Sequence, residues 1–70
     1  MSNLNKTIGK SIKSRRKELN LELETLSLHT SVSISVLSNI ENGKANPTIK
    51  TLEKVLSVLG LTLQTTIIER

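Results

Sequence analysis

Four short stretches of this chain repeat apolar residues at helical spacing, and three of them are closed by an Asn or a Gly. In the first, Asn5 to Leu19, the apolar residues Ile8, Ile12 and Leu19 recur along one face. Asn20 can end it, because Asn tolerates the left-handed backbone that follows a helix. A second stretch opens at Leu21 and runs to about His29–Ser31, with Leu23, Leu26 and Leu28 as its apolar surface. Glu22 and Glu24 stand in its first turn, where carboxylates suit the helix dipole. Ser33 is an N-cap for a third helix, Ile34–Glu41, which Asn42-Gly43 closes. After the loop Lys44–Pro47, Thr48 caps a fourth helix with Ile49, Leu52, Val55, Leu56 and Leu59 as its buried stripe, and Gly60 ends it. Up to Gly60 the chain therefore reads as all-α, four to five helices.

The last ten residues read differently. Thr62, Thr65, Thr66, Ile67 and Ile68 are β-branched and suit a strand. A lone strand is unstable in water, and no other segment of the chain is strand-like. The simplest partner is the same strand of a second copy, which makes a symmetric dimer with Leu61, Leu63, Thr65 and Ile67 at its interface. The alternative is a tail that packs Leu61 and Leu63 on the fourth helix. Size favours the dimer. A chain of 70 residues buries only about 60% of its unfolded surface, and small scaffolds compensate with disulfides, metals or oligomerisation. With no Cys and one His, only the last remains. The expected division is residues 1–60 as the helical domain and 61–70 as the dimerisation strand.

Lys and Arg outnumber Asp and Glu by 10 to 6, a net charge of +4, which favours a polyanionic partner. On the first helix Lys6, Lys10, Lys13 and Lys17 fall on one stripe opposite the apolar face. A membrane surface could also attract that stripe, but the apolar side of the helix is needed for the core of so small a domain. No apolar run is long enough to span a membrane, and Met1–Lys10 lacks the apolar core of a signal peptide. A cytoplasmic location is expected. Aromatic residues are absent. Single strands and RNA are usually gripped by stacking bases on aromatic rings, whereas duplex DNA can be read by hydrogen bonds and methyl contacts alone. Enzyme chemistry finds no support. His29 has no nearby acid or Cys to work with, Glu22 and Glu24 face different sides of a helix, and there is no Gly-rich phosphate loop. No cofactor and no metal are expected.

The third helix presents two faces. Val36, Leu37 and Ile40 cluster on one and read as core; Ile34, Ser35, Ser38 and Asn39 cluster on the other. A short, uncharged polar face can lie against base edges, since Asn can pair with adenine and Ser with several bases. Alone, it is equally an ordinary solvated face. The wider spacing is more specific: Ile8-Gly9, Ile12, Arg16, Leu21, Leu26, Val32-Ser33, Leu37-Ser38, Ile40-Glu41-Asn42-Gly43-Lys44, Asn46-Pro47-Thr48, Thr51-Leu52 and Leu59-Gly60. Residues 8 to 60 so spaced resemble the phage-repressor-like (XRE) helix-turn-helix family, a lambda-repressor-like fold.

That resemblance implies roles. Ser33, Ile34, Ser35, Ser38 and Asn39 would enter the major groove at the start of the second helix of the motif. Asn42 and Lys44 fall where relatives touch phosphate, and the N-terminus of the fourth helix near Thr48 could add N–H groups; Lys10, Lys13 and Lys50 would steer phosphate. Arg16 would pair with Glu41 and join the first helix to the third. The partner implied is double-stranded operator DNA, bound by a homodimer. The chain also departs from the family. Glu22-Leu23 replaces a common Thr-Gln whose Gln bonds phosphate, Ile34 replaces a common Gln, Ser31 replaces a turn Gly, and Arg15 stands where relatives are apolar. The C-terminal Leu59–Leu63 resembles HipB-type antitoxins, which implies a further partner, a HipA-like kinase toxin or its split subunits. The competing functional class is a protein-interaction module that binds a toxin with only weak DNA contact.

Overall fold

Helix boundaries in this computed structural model, which describes residues 2–63, follow left-handed turns. Its order is α1 (Ser2–Glu18), α2 (Leu23–Thr30), α3 (Ile34–Glu41) and α4 (Ile49–Val58). The fold of the described residues is all-α, as expected. The strand expected in 61–70 falls mainly on residues 64–70, outside the described residues; residues 61–63 carry no regular structure. Helix α1 begins at Ser2, three residues earlier than Asn5.

Three helices end in the same hydrogen-bond pattern. The amide of Asn20 donates to the Lys17 carbonyl and that of Leu21 to Arg16; Gly43 donates to Ile40 and Lys44 to Asn39; Gly60 donates to Ser57 and Leu61 to Leu56. These paired bonds satisfy carbonyls that the helix leaves orphaned, and they require a left-handed residue in the middle. Asn20, Gly43 and Gly60 supply it, with φ of 57, 72 and 73°. The fourth such residue is Ser31, at φ 60°. Ser there carries the strain that the expected turn Gly would avoid. The buried Thr30 hydroxyl offsets it, donating to the Leu26 carbonyl at 2.8 Å and accepting from the Val32 amide at 3.2 Å.

Helix α1 packs on α3, and α2 packs on α3 and α4. Ile12, Leu26, Leu37, Val55 and Leu59 are fully buried at the centre, ringed by Val32, Ile40, Leu52 and Leu56. Four apolar residues assigned to buried faces are instead exposed: Leu19, Leu28, Val36 and Ile49. The buried arc of α3 is Leu37, Ile40 and Glu41, which leaves Val36 on the flank at 41% exposed. Leu28 is 84% exposed because the buried residues of α2 are Leu26 and Thr30, on the face turned to α3 and α4. Ile49 opens α4 before that helix reaches the core, and Leu19 lies beyond the end of α1. Arg15, puzzling on an apolar face, finds a partner in its own chain: its Nε donates to the Leu59 carbonyl at 2.9 Å, near the end of α4, and Nη1 pairs with Glu18 at 3.2 Å.

Helices α1 and α3 touch at Gly9. A Cβ at Gly9 would overlap the Ile40 carbonyl oxygen and reach 2.7 Å from that of Glu41. Glycine here permits backbone-to-backbone approach in mid-helix despite its cost to helix stability.

Candidate nucleic-acid interface

Helix α3 owes its presentation to both of its ends. Ser33 caps the N-terminus, its hydroxyl accepting from the Val36 amide at 3.2 Å, and Gly43 turns the chain away at the other end. With Leu37, Ile40 and Glu41 buried, residues 35, 39 and 42 fall on the opposite side of the helix wheel. Ser35, Asn39 and Asn42 are indeed exposed, as are Ser33 and Ile34; Ser38 is half-buried on the flank. The sequence-derived base-reading residues thus share one open surface. The structure gives Ser33 a second duty as the cap, so its oxygen already accepts one bond.

The orientation of that surface is fixed from behind by a buried ion pair. Arg16 Nε donates to Glu41 Oε2 at 2.7 Å and Nη2 to Oε1 at 3.1 Å. The third guanidinium nitrogen, Nη1, donates to the Leu21 carbonyl at 2.7 Å. One side chain so ties α1 to the end of α3 and to the turn before α2. A planar fork on a carboxylate constrains angle as well as distance. The hydrogen bond to Glu41 raises the Arg16 pKa above its ordinary value; burial opposes this, and the charges of Glu41 and Glu22 add to it. A raised value keeps Arg16 charged up to and beyond the ordinary Arg range, so alkali in the usual working range does not break the pair.

The sequence-derived phosphate residues divide into two groups. Lys10, Lys13 and Asn42 line one open groove, between α1 and the end of α3, together with Lys6 and Lys17. Lys44, Thr48 and Lys50 are exposed but do not line this groove. The Thr48 hydroxyl is committed to capping α4, accepting from the Thr51 amide at 3.1 Å and donating to the Thr51 hydroxyl at 3.0 Å. The loop before it is tethered to α1 by Asn5 Nδ2, which donates to Asn46 Oδ1 at 2.8 Å. Sequence reasoning placed Lys6 and Lys17 on the basic stripe but did not assign them to phosphate, and it foresaw neither the close approach at Gly9 nor this Asn5 tether. The signals available were the even Lys stripe and a Gly inside a helical pattern.

Helix α2 begins without help for a phosphate. Glu22 is its N-cap residue but makes no side-chain cap bond, and Leu23 turns half-buried toward the core. Of the residues assigned to dimerisation, Leu61 packs half-buried against the core of its own chain and Leu63 is exposed. Thr65 and Ile67 lie outside the described residues.

A capped α3 with an open polar face, following α2 across a tight left-handed turn, is the arrangement of a helix-turn-helix. The family model described as Helix-turn-helix matches residues 12–65. The chain belongs to that family. Within this helix-turn-helix family it is 42% identical over 64 residues to the HTH-type transcriptional regulator SinR of Bacillus subtilis (strain 168), covering 90% of this chain and 58% of SinR. It is 40% identical over 55 residues to the immunity repressor protein of Bacillus phage phi105, covering 79% of this chain and 38% of that protein. The ImmF control region 10 kDa protein of the same phage is 36% identical over 58 residues, 83% of this chain and 64% of its own length. The chain thus spans less than two thirds of the curated relatives it matches. No solved structure matches it. Among the described residues no helix is long and apolar enough to cross a membrane.

Proposed function

We propose that this chain recognises a short operator in double-stranded DNA and represses transcription there, as a homodimer on a palindromic site. The observation that carries this reading is the exposed α3 face of Ser35 and Asn39, with half-buried Ser38 at its edge and Ser33 and Ile34 at its start, held by the Arg16–Glu41 pair. Asn39 is the strongest reader, because its amide can make two bonds to one adenine; Ile34 offers a methyl contact to thymine. Lys10, Lys13, Asn42, Lys44, Thr48 and Lys50 supply phosphate contacts. Two such faces, one per protomer, meet successive major grooves about one helical turn apart. Residues 61–70 join the protomers.

One relative is named an immunity repressor of a phage and another a transcriptional regulator, which supports a stand-alone phage-type repressor. The narrower role, an autoregulating antitoxin with a HipA-like kinase partner, draws only on the resemblance of Leu59–Leu63. The protein-interaction alternative draws on the exposed Leu28 and on the acidic, phosphate-poor start of α2.

Asn39→Ala tests the reading directly. Asn39 is exposed and its side chain makes none of the hydrogen bonds described for the fold, so the thermal midpoint should hold. Operator binding should weaken by about 1–3 kcal/mol, with preference lost at one base position per half-site. Unchanged affinity and preference would remove Asn39 from the reading set.

A further inference from the structure

The α1 lysine stripe is larger than base reading requires. Lys6, Lys10, Lys13 and Lys17 are all exposed and stand at intervals of four, three and four residues, about 16 Å along the helix from first to last. Neighbours at those intervals face each other, and like charges so placed destabilise a helix. Among the described residues none of these lysines makes an ion pair, the two pairs being Arg15–Glu18 and Arg16–Glu41. The one carboxylate lining the groove, Glu41, is already bound on both oxygens by Arg16. Its negative charge is therefore not free to neutralise the lysines.

Asn42 lines the same groove, and it shares the outward side of α3 with Ser35 and Asn39. The lysine stripe is thus continuous with the base-reading face. Lys6 marks the junction, its stem lying against Gly43 at the end of α3. Lys6 and Lys10 also precede residues 12–65, which the family model matches, so half of the stripe is outside that match.

We infer that the α1 stripe is a track for the DNA backbone, in which Lys6 and Lys17 add two phosphate contacts to those of Lys10, Lys13 and Asn42. This inference rests on the DNA-binding reading above. The occupant is a nucleic-acid backbone and not a lipid surface, because the apolar side of α1, Ile8 and Ile12, is committed to the core and cannot insert into a bilayer. A row of fixed positive charges matches a row of phosphates, and its yield is affinity without sequence preference.

The test is the salt dependence of binding of the full chain to random-sequence duplexes of about two helical turns. The double variant Lys6→Gln/Lys17→Gln is compared with wild type, with Lys6→Arg/Lys17→Arg, and with Lys54→Gln, an exposed α4 position outside the groove. Each lost phosphate contact flattens the slope of log K against log salt by about 0.9. The Gln pair should therefore lose about 1.8 of slope per bound protomer, so that between about 50 and 200 mM salt wild type loses roughly tenfold more affinity per protomer than the variant. The Arg pair and Lys54→Gln should keep the wild-type slope. The thermal midpoint of the Gln pair should not fall, since it relieves like-charge repulsion. A Gln pair with the wild-type slope overturns the track, as does one that loses binding only to phosphatidylserine vesicles. If wild type itself binds no duplex in a salt-dependent way, the DNA-binding reading falls first and the track with it.

Discussion

Glu41→Ala is expected to remove about 3–5 kcal/mol of stability, because it leaves the Arg16 guanidinium buried without its counter-charge. Arg16 and Glu41 are 9% and 7% exposed, so water cannot take over the lost bonds. Native domains hold about 0.05–0.15 kcal/mol per residue, roughly 4–10 kcal/mol for a chain of 70 residues. The substitution therefore consumes much or all of the margin. A urea titration should show a large fall in the midpoint, and DNA binding should decline with the folded fraction. The double variant Arg16→Met/Glu41→Leu removes both charges and should recover most of the loss, although the Leu21 carbonyl then misses its donor. Single-variant losses below about 1 kcal/mol, typical of an exposed pair, would show that the pair does not hold α3 to α1.

Gly9→Ala is the second large effect, and its sign is the informative part. In an exposed helix interior this change stabilises by about 1 kcal/mol. Here the new Cβ meets two backbone carbonyl oxygens of α3, those of Ile40 and Glu41. Neither can rotate away as a side chain would, so α1 and α3 must separate. The expected net loss is about 1–3 kcal/mol, the usual range for overpacking. Separation also shifts the exposed α3 face against the lysine stripe, so on the proposed function DNA affinity should fall beyond what the folded fraction explains. Thermal unfolding and duplex binding on one preparation measure both. A stabilised Gly9→Ala would mean that the helices do not approach this closely.

Local chemistry made much of the fold legible in the sequence. Asn20, Gly43 and Gly60 end helices because left-handed backbone is open to them, and Ser33 and Thr48 cap the helices that follow. What the pattern could not convey is which part of each apolar arc a neighbour covers. Leu28, Val36 and Ile49 carry the right residue type at an uncovered angle. Contacts between residues remote in the chain were hidden for the same reason. Arg15 bonds a carbonyl 44 residues away, and the close approach of α3 at Gly9 has no local signature in α1. The α3 surface was legible because an eight-residue helix with three buried positions leaves little choice for the remainder.

The central claim, that the α3 face reads bases, is tested most directly by selecting duplexes from a random pool with the full chain and sequencing those retained. A palindrome with half-sites about one turn apart is expected, with loss of one base preference per half-site when the selection is repeated with Asn39→Ala. Retained duplexes with no common sequence, or an identical palindrome for Asn39→Ala and for Ser35→Ala/Ser38→Ala, would contradict it.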